Sequence, residues 1–128
     1  MKNTPTEAQL ASIPGLYQTE HIATEDRLVY AHFHLFDSHW FILESDGIDT
    51  MFGYCILNGD LLNSGYGYVS LTDLQQINVL GQFEVEFDPY WETKRICEIE
   101  LIRRGGGIVV DPRDEKNGGD WKWHILQN

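Results

Sequence analysis

Three histidines fall within eight residues, His32, His34 and His39, with His21 upstream. Two residues apart on an extended chain means the same face, so His32 and His34 present paired imidazoles, and His39 follows across a short break. With a carboxylate added, such a set suits zinc. Glu84, Glu86 and Asp88 repeat the same spacing in carboxylates, which is the pattern for a divalent cation or for general acid and base work. Combined, the two rows would make a small metal-dependent hydrolase using His32, His34, Glu84 and Glu86. The plainer reading is stronger for both: polar positions on a strand usually face solvent, and surface histidines outnumber metal ligands.

The remaining chemical candidates are weaker. Cys55 is followed by Ile56 and Leu57, the setting of a buried, inert thiol, and Cys97 also lies among apolar residues. Gly105-Gly106-Gly107 lacks the lysine and hydroxyl residue of a phosphate loop, and Gly65-x-Gly67 lacks the third glycine of a dinucleotide fingerprint. Both read as turns, and no cofactor is expected. Asp111, Asp114, Asn117 and Asp120 recur every third residue, whereas a calcium loop wants alternate positions and a closing glutamate. Trp121 and Trp123, beside His124, are candidates for an aromatic contact surface.

Charge carries more information than any of these motifs. The chain has a formal net charge of −11 and a pI near 4.6. Up to residue 92 the only bases are Lys2 and Arg27, leaving that part at about −12, while the remainder is close to neutral. Such a field repels phosphates and anionic membranes, so neither direct nucleic-acid binding nor a membrane role is expected. A basic protein is the natural partner. On this reading Glu84, Glu86 and Asp88, extended by Glu44, Asp46 and Asp49, form a partner-binding acidic strip whose carboxylates imitate the phosphate spacing of DNA.

The elements that must position these groups follow from hydrophobic period. At 128 residues with 4 Trp, 6 Tyr and 6 Phe, the chain 1–128 is expected to be one domain with a packed core. No secretory signal or spanning stretch is visible, and two unpaired cysteines fit a reducing, cytoplasmic setting. Thr6 caps a short helix that Pro14-Gly15 stops, and residues 19–27 read as polar loop. Leu28–Phe36 alternates as a strand; a two-residue turn at Asp37-Ser38 sets Leu35 opposite Trp40 and Phe33 opposite Ile42. Strands over Met51–Leu57 and Tyr66–Ser70 flank an Asn58-Gly59-Asp60 turn.

Ser70 or Thr72 caps a second helix bearing Leu71, Leu74 and Ile77, and Phe83–Asp88 is one half-buried strand. Ile96–Ile102 is assigned to strand on its β-branched content, residues 111–120 to loop, and Trp121–Leu126 to a last strand. The expectation is therefore α+β: a mainly antiparallel sheet with one or two short helices in a single layer on it. Monomer and homodimer are equally compatible with this composition.

The order of these pieces resembles a family of small bacterial proteins known as a domain of unknown function. Pro14-Gly15-Leu16-Tyr17, Leu35-Phe36, Trp40, Glu44, Phe52-Gly53-Tyr54, the segment Gly67 to Leu74 and the acidic strand Phe83–Asp88 carry the likeness over residues 14–90. Members usually have glutamate where this chain has Gly65, and a basic residue inside the acidic strand. The resemblance implies a fold, no established activity, and proteins carried by mobile elements. With the charge, it points to a non-enzymatic acidic protein, an inhibitor or decoy acting on a basic host protein such as a nucleic-acid enzyme or defence component.

Overall fold

Alternating apolar residues build the centre of the molecule. In the computed structural model, which describes residues 1–108, β2 (Ala31–Leu35), β3 (Ser38–Ser45), β4 (Thr50–Ile56) and β5 (Gly65–Ser70) form successive antiparallel neighbours. A two-residue strand, β8 (Glu86–Phe87), joins the outside of β2, giving the order β5-β4-β3-β2-β8. Two smaller pairs accompany this sheet: β1 (Leu28–Val29) with β9 (Lys94–Arg95), and β6 (Asn78–Val79) with β7 (Phe83–Glu84). The fold is α+β with a mainly antiparallel sheet, as the periodicity requires. No helix among the described residues is long and apolar enough to cross a membrane.

The β2–β3 turn has two residues, as expected, but they are Phe36 and Asp37. Leu35 therefore faces Ser38, Phe33 faces Trp40 and Ala31 faces Ile42. Sliding a two-residue turn by one position moves each partner by two, so every side chain keeps its face. Ser38 belongs to the strand because it is buried, and its hydroxyl accepts a hydrogen bond from the Asn58 amide at 2.9 Å.

Both faces of the sheet are covered. On one, Ala31, Phe33, Trp40, Ile42 and Met51 pack with Leu10, Ile13, Leu71 and Leu74 from α1 (Glu7–Ala11), α2 (Leu71–Gln76) and the turn after α1. On the other, Phe41, Leu43, Tyr54 and Ile56 pack with Ile96, Ile99 and Ile102. Burial on two sides accounts for the unbroken run Phe41-Ile42-Leu43. The pairing of β3 with β4 shifts between Ile42 and Glu44, a bulge that turns Glu44 toward the second face. Gly53 sits against this irregularity, where a methyl group would overlap the Phe41 carbonyl. Gly53→Ala is expected to cost about 2 kcal/mol, read as a lower urea midpoint with an unchanged slope; an unshifted midpoint would contradict this packing.

Helix ends follow their capping residues. Thr6 and Gln9 form a reciprocal capping box on α1. Ser70 caps α2 by accepting from the Asp73 amide at 3.2 Å.

Three expected strands are not observed as such. The stretch 28–36 divides at Tyr30, so that β1 leaves the central sheet to pair with β9 while β2 stays in it. Residues 83–88 divide into β7 and β8 around Val85, which is fully buried and whose carbonyl accepts the Lys2 amide. Lys2 in turn accepts from Phe87, so the start of the chain pins the interruption. Residues 96–102 are helical: a 3-10 turn over Ile96–Glu98 leads into α3 (Glu100–Arg104). Isoleucines at 96, 99 and 102 recur every third residue, and all three are buried on one side, so helical spacing overrides β-branched propensity. This segment covers the second face, so helices form two layers and not one, and α-helices number three among the described residues.

Gly105-Gly106-Gly107 closes α3 as a turn with Gly106 at φ +83, while Gly105 and Gly107 press against Tyr54 too closely for any side chain. Cys55 and Cys97 are free and half-buried. The expected loop 111–120 and strand 121–126, with Trp121 and Trp123, lie outside the described residues.

Candidate functional site

The strands bring His32, His34 and His39 together as their spacing implies. His32 and His34 project from one face of β2, their rings 5.2 Å apart, and His32 Nε2 lies 3.0 Å from His39 Nδ1. These two rings are coplanar within 7° with centroids 5.2 Å apart, which is the N···N distance plus the two ring radii. The hydrogen bond thus runs along the line joining the rings, one nitrogen donating and the other accepting. Nitrogens that point at each other do not converge on an ion, and no group of His, Cys, Asp or Glu among the described residues is arranged to hold one.

Phe41 and Trp91 close over His32 at 4.8 and 5.1 Å between ring centres. Burial first, then the neighbouring His39 and His34, push the His32 pKa down to about 4 against a partial upward pull from Asp88. His39 is lowered too, again chiefly by burial. Asp88 Oδ2 is 3.9 Å from His32 Nδ1, beyond hydrogen-bonding range, and that buried nitrogen has no hydrogen-bond partner among the described residues. His32 is therefore a neutral ring packed against Phe41 and Trp91 at the margin of the second core, not an exposed base.

The carboxylates do not form one strip. Glu84, Glu86 and Asp88 run along the β7–β8 edge, whereas Glu44, Asp46 and Asp49 cluster where β3 turns into β4, at the other end of the sheet. Most have local partners. Glu84 pairs with the terminal amine at 3.1 Å, and Glu86 lies 3.7 Å from both Lys2 and His34. Asp46 Oδ1 accepts the amides of Ile48, Asp49 and Thr50, closing the turn. Asp49 accepts from the Ser70 and Thr72 hydroxyls and the Thr72 amide, anchoring α2. Glu44 departs furthest from expectation: it is only 3% exposed, so it is withdrawn from any partner-binding surface.

Around Glu44 the molecule builds its most specific constellation. Its carboxylate accepts the Tyr17 amide at 3.0 Å, the Thr19 amide at 2.9 Å, the Thr19 hydroxyl at 2.5 Å and Arg27 Nη2 at 3.1 Å. Burial alone would raise its pKa, but the Thr19 and Tyr17 hydrogen bonds and the Arg27 charge outweigh it and hold the carboxyl below its ordinary value. The Arg27 guanidinium spreads over the Phe52 ring, 5.5 Å from its centre.

The amide bond to Glu44 holds Tyr17 where its backbone is left-handed, φ +68, and the residue is 61% exposed. The Tyr68 hydroxyl donates to the Tyr17 hydroxyl at 3.0 Å, and that bond, then burial and nearby Glu20 and Glu44, push Tyr68 up to about 12. Cross-strand pairs Phe52–Tyr68 and Tyr54–Tyr66 continue the aromatic row, and Tyr66 donates to the Gly107 carbonyl at 2.7 Å.

Tyr17, Glu44, Phe52, Tyr54 and Tyr68, five of the motif residues singled out in the sequence, thus share one region, while Trp40 lies in the opposite core. Thr19 and Arg27 fall in the segment whose composition reads as polar loop. A signal existed: Arg27 is one of two bases in the first 92 residues, and an isolated base in so acidic a stretch points to a paired, buried charge. Comparison with known proteins adds no identity: no family model matches the chain, and no curated protein or solved structure is significantly similar to it.

Proposed function

We propose that this protein is a non-enzymatic interaction module whose tyrosine face receives a basic protein surface. Two exposed phenols, Tyr17 and Tyr68, adjoin each other, Tyr68 packs on Phe52, and Glu20 is near enough to act on Tyr68. Tyrosine supplies large contact area at low entropic cost and a π face for cations, and the surrounding negative charge favours lysine- and arginine-rich partners. A nucleic-acid-handling enzyme or defence component of a host has that chemistry. The carrying observation is the strained Tyr17: an exposed aromatic ring held at an unfavourable φ by a buried carboxylate is positioned at a cost to folding, which is characteristic of a recognition residue.

The test uses an arginine-rich peptide titrated into the protein and followed by NMR. Shifts should centre on Tyr17, Phe52 and Tyr68 and weaken as salt is raised. Tyr17→Asn, chosen because asparagine tolerates the left-handed backbone, together with Tyr68→Ala should reduce affinity about tenfold. Shifts spread evenly over the acidic surface, or centred on Glu84–Asp88, would refute the proposal.

A further inference from the structure

A neutral imidazole has one N–H and one bare nitrogen, so the bond between His32 Nε2 and His39 Nδ1 at 3.0 Å can run in either direction. The other nitrogen of His32 decides which. His32 Nδ1 is buried, makes no hydrogen bond among the described residues and lies 3.9 Å from Asp88 Oδ2. Asp88 is itself held in place: its amide donates to the His32 carbonyl at 3.0 Å, and its Oδ1 accepts the Tyr90 amide at 2.9 Å. A bare Nδ1 would set a lone pair against a carboxylate in a poorly solvated place, whereas Nδ1–H directs a partial positive charge toward it. That arrangement puts the proton of His32 on Nδ1, leaves its Nε2 to accept, and requires His39 to donate from Nδ1.

His39 Nε2 is then bare. It makes no hydrogen bond among the described residues, whose buried, unpartnered side-chain atoms are Arg27 Nε and His32 Nδ1, so His39 Nε2 reaches solvent. We propose that Asp88, His32 and His39 form a directed chain that orients His39 Nε2 as an outward base for a hydroxyl or ammonium donor. The proton passes from the donor to the Nε2 lone pair, and the donor keeps its electron pair. Charge arising on His39 leaves its Nδ1–H bond to His32 intact and is steadied by the carboxylate behind. A proton delivered to His32 Nε2 would break that bond, so His39 is charged first.

The surrounding groups agree with this direction. His32 meets His34 from its own strand, His39 from β3 and Asp88 after β8, so Asp88 is the carboxylate that acts on it. Phe41 and Trp91 beside it are uncharged, and the Lys94 ammonium lies on the Trp91 ring, 4.5 Å from its centre. His39 meets His34 and Asp37, and His34 has Glu86 at 3.7 Å. Burial lowers both His32 and His39, which keeps the pair uncharged and able to accept near neutral pH. The inference goes beyond the proposed function and is independent of it, because His39 and Glu44 lie toward opposite ends of β3.

Long-range proton–nitrogen correlation spectra of the imidazole rings, recorded on the full chain from pH 8 downward, test the assignment. At pH 8 both His32 and His39 should be in the Nδ1–H form, the reverse of the Nε2–H form that an unconstrained histidine side chain favours. On acidification the first proton taken by the pair should appear at His39 Nε2. Asp88→Ala should abolish the preference at both rings, while His39→Phe, which leaves Asp88 and its turn in place, should keep His32 in the Nδ1–H form. An Nε2–H form at His32 in the unaltered chain or in His39→Phe would overturn the proposal, as would tautomers unchanged in Asp88→Ala. If Asp88→Ala does not fold, His39→Phe and the unaltered chain decide. Diethyl pyrocarbonate at neutral pH, mapped by mass spectrometry, should modify His39 and spare His32; an unmodified His39 would show Nε2 to be closed and would also overturn the proposal.

Discussion

Glu44→Ala is expected to lower the unfolding free energy by about 3–5 kcal/mol, the usual consequence of removing one partner of a buried ion pair. Three donors lose their acceptor at once, the Tyr17 amide, the Thr19 amide and the Thr19 hydroxyl, and Arg27 is left 11% exposed without its counter-charge. The Arg27 Nε already has no hydrogen-bond partner among the described residues, and without Glu44 the guanidinium keeps only uncharged partners here, the Thr19 hydroxyl at 2.9 Å from Nη2 and the Phe52 ring. Replacing both charges, as in Glu44→Gln with Arg27→Met, should cost less than Glu44→Ala alone, because the penalty arises from the orphaned cation more than from the lost attraction. Urea denaturation at neutral pH reads both variants. A loss below about 1 kcal/mol for Glu44→Ala would show that the constellation is not the anchor described here.

Acidification should weaken the protein well before its carboxylates titrate. His32 has a folded pKa near 4 against an ordinary 6.5, so the unfolded chain binds the extra proton between those values. The associated stability is complete above pH 6.5, falls as pH drops toward 4, and amounts to about 3 kcal/mol for a shift of this size. His39, also lowered, adds in the same direction. Glu44, held below its ordinary 4.5, contributes stability that begins to fall only beneath that pH, so the interval from 6.5 to 4.5 belongs to the histidines. Urea midpoints at pH 7.5, 6 and 5 should decline stepwise, and His32→Phe, which suits the neighbouring Phe41 and Trp91 rings, should flatten the decline. Equal midpoints at pH 7.5 and 5 would contradict the neutral, buried assignment of His32.

Much of the sheet was legible because period two is a strong constraint wherever one face is dry. β2 to β5, the Ser70 cap and the Thr6 cap all follow from alternation and short-range hydrogen bonding. Residues 96–102 misled because valine-like branching and a helical spacing of three coexist there, and packing against Tyr54 and Ile56 decided in favour of the spacing. The segment 83–88 reads as continuous because alternation persists through Val85, although a contact with Lys2, remote in sequence, breaks it.

Site residues were less legible for a related reason. A carboxylate's exposure depends on which turn closes over it, and nothing near Glu44 announces that Tyr17 and Thr19 would supply amides from 25 or more residues away. The three histidines were located correctly on one face. Their linear, mutual hydrogen bond is a matter of ring orientation that spacing cannot specify.

Strand β3 begins at the Phe36 turn and ends beside Glu44, and its eight residues span about 25 Å. It sits between two strands and two helical layers, so it forms a stiff strut. Whatever Tyr17 and Tyr68 engage is thus carried by the most enclosed strand of the sheet, so capture there need not be accompanied by rearrangement of the scaffold beneath.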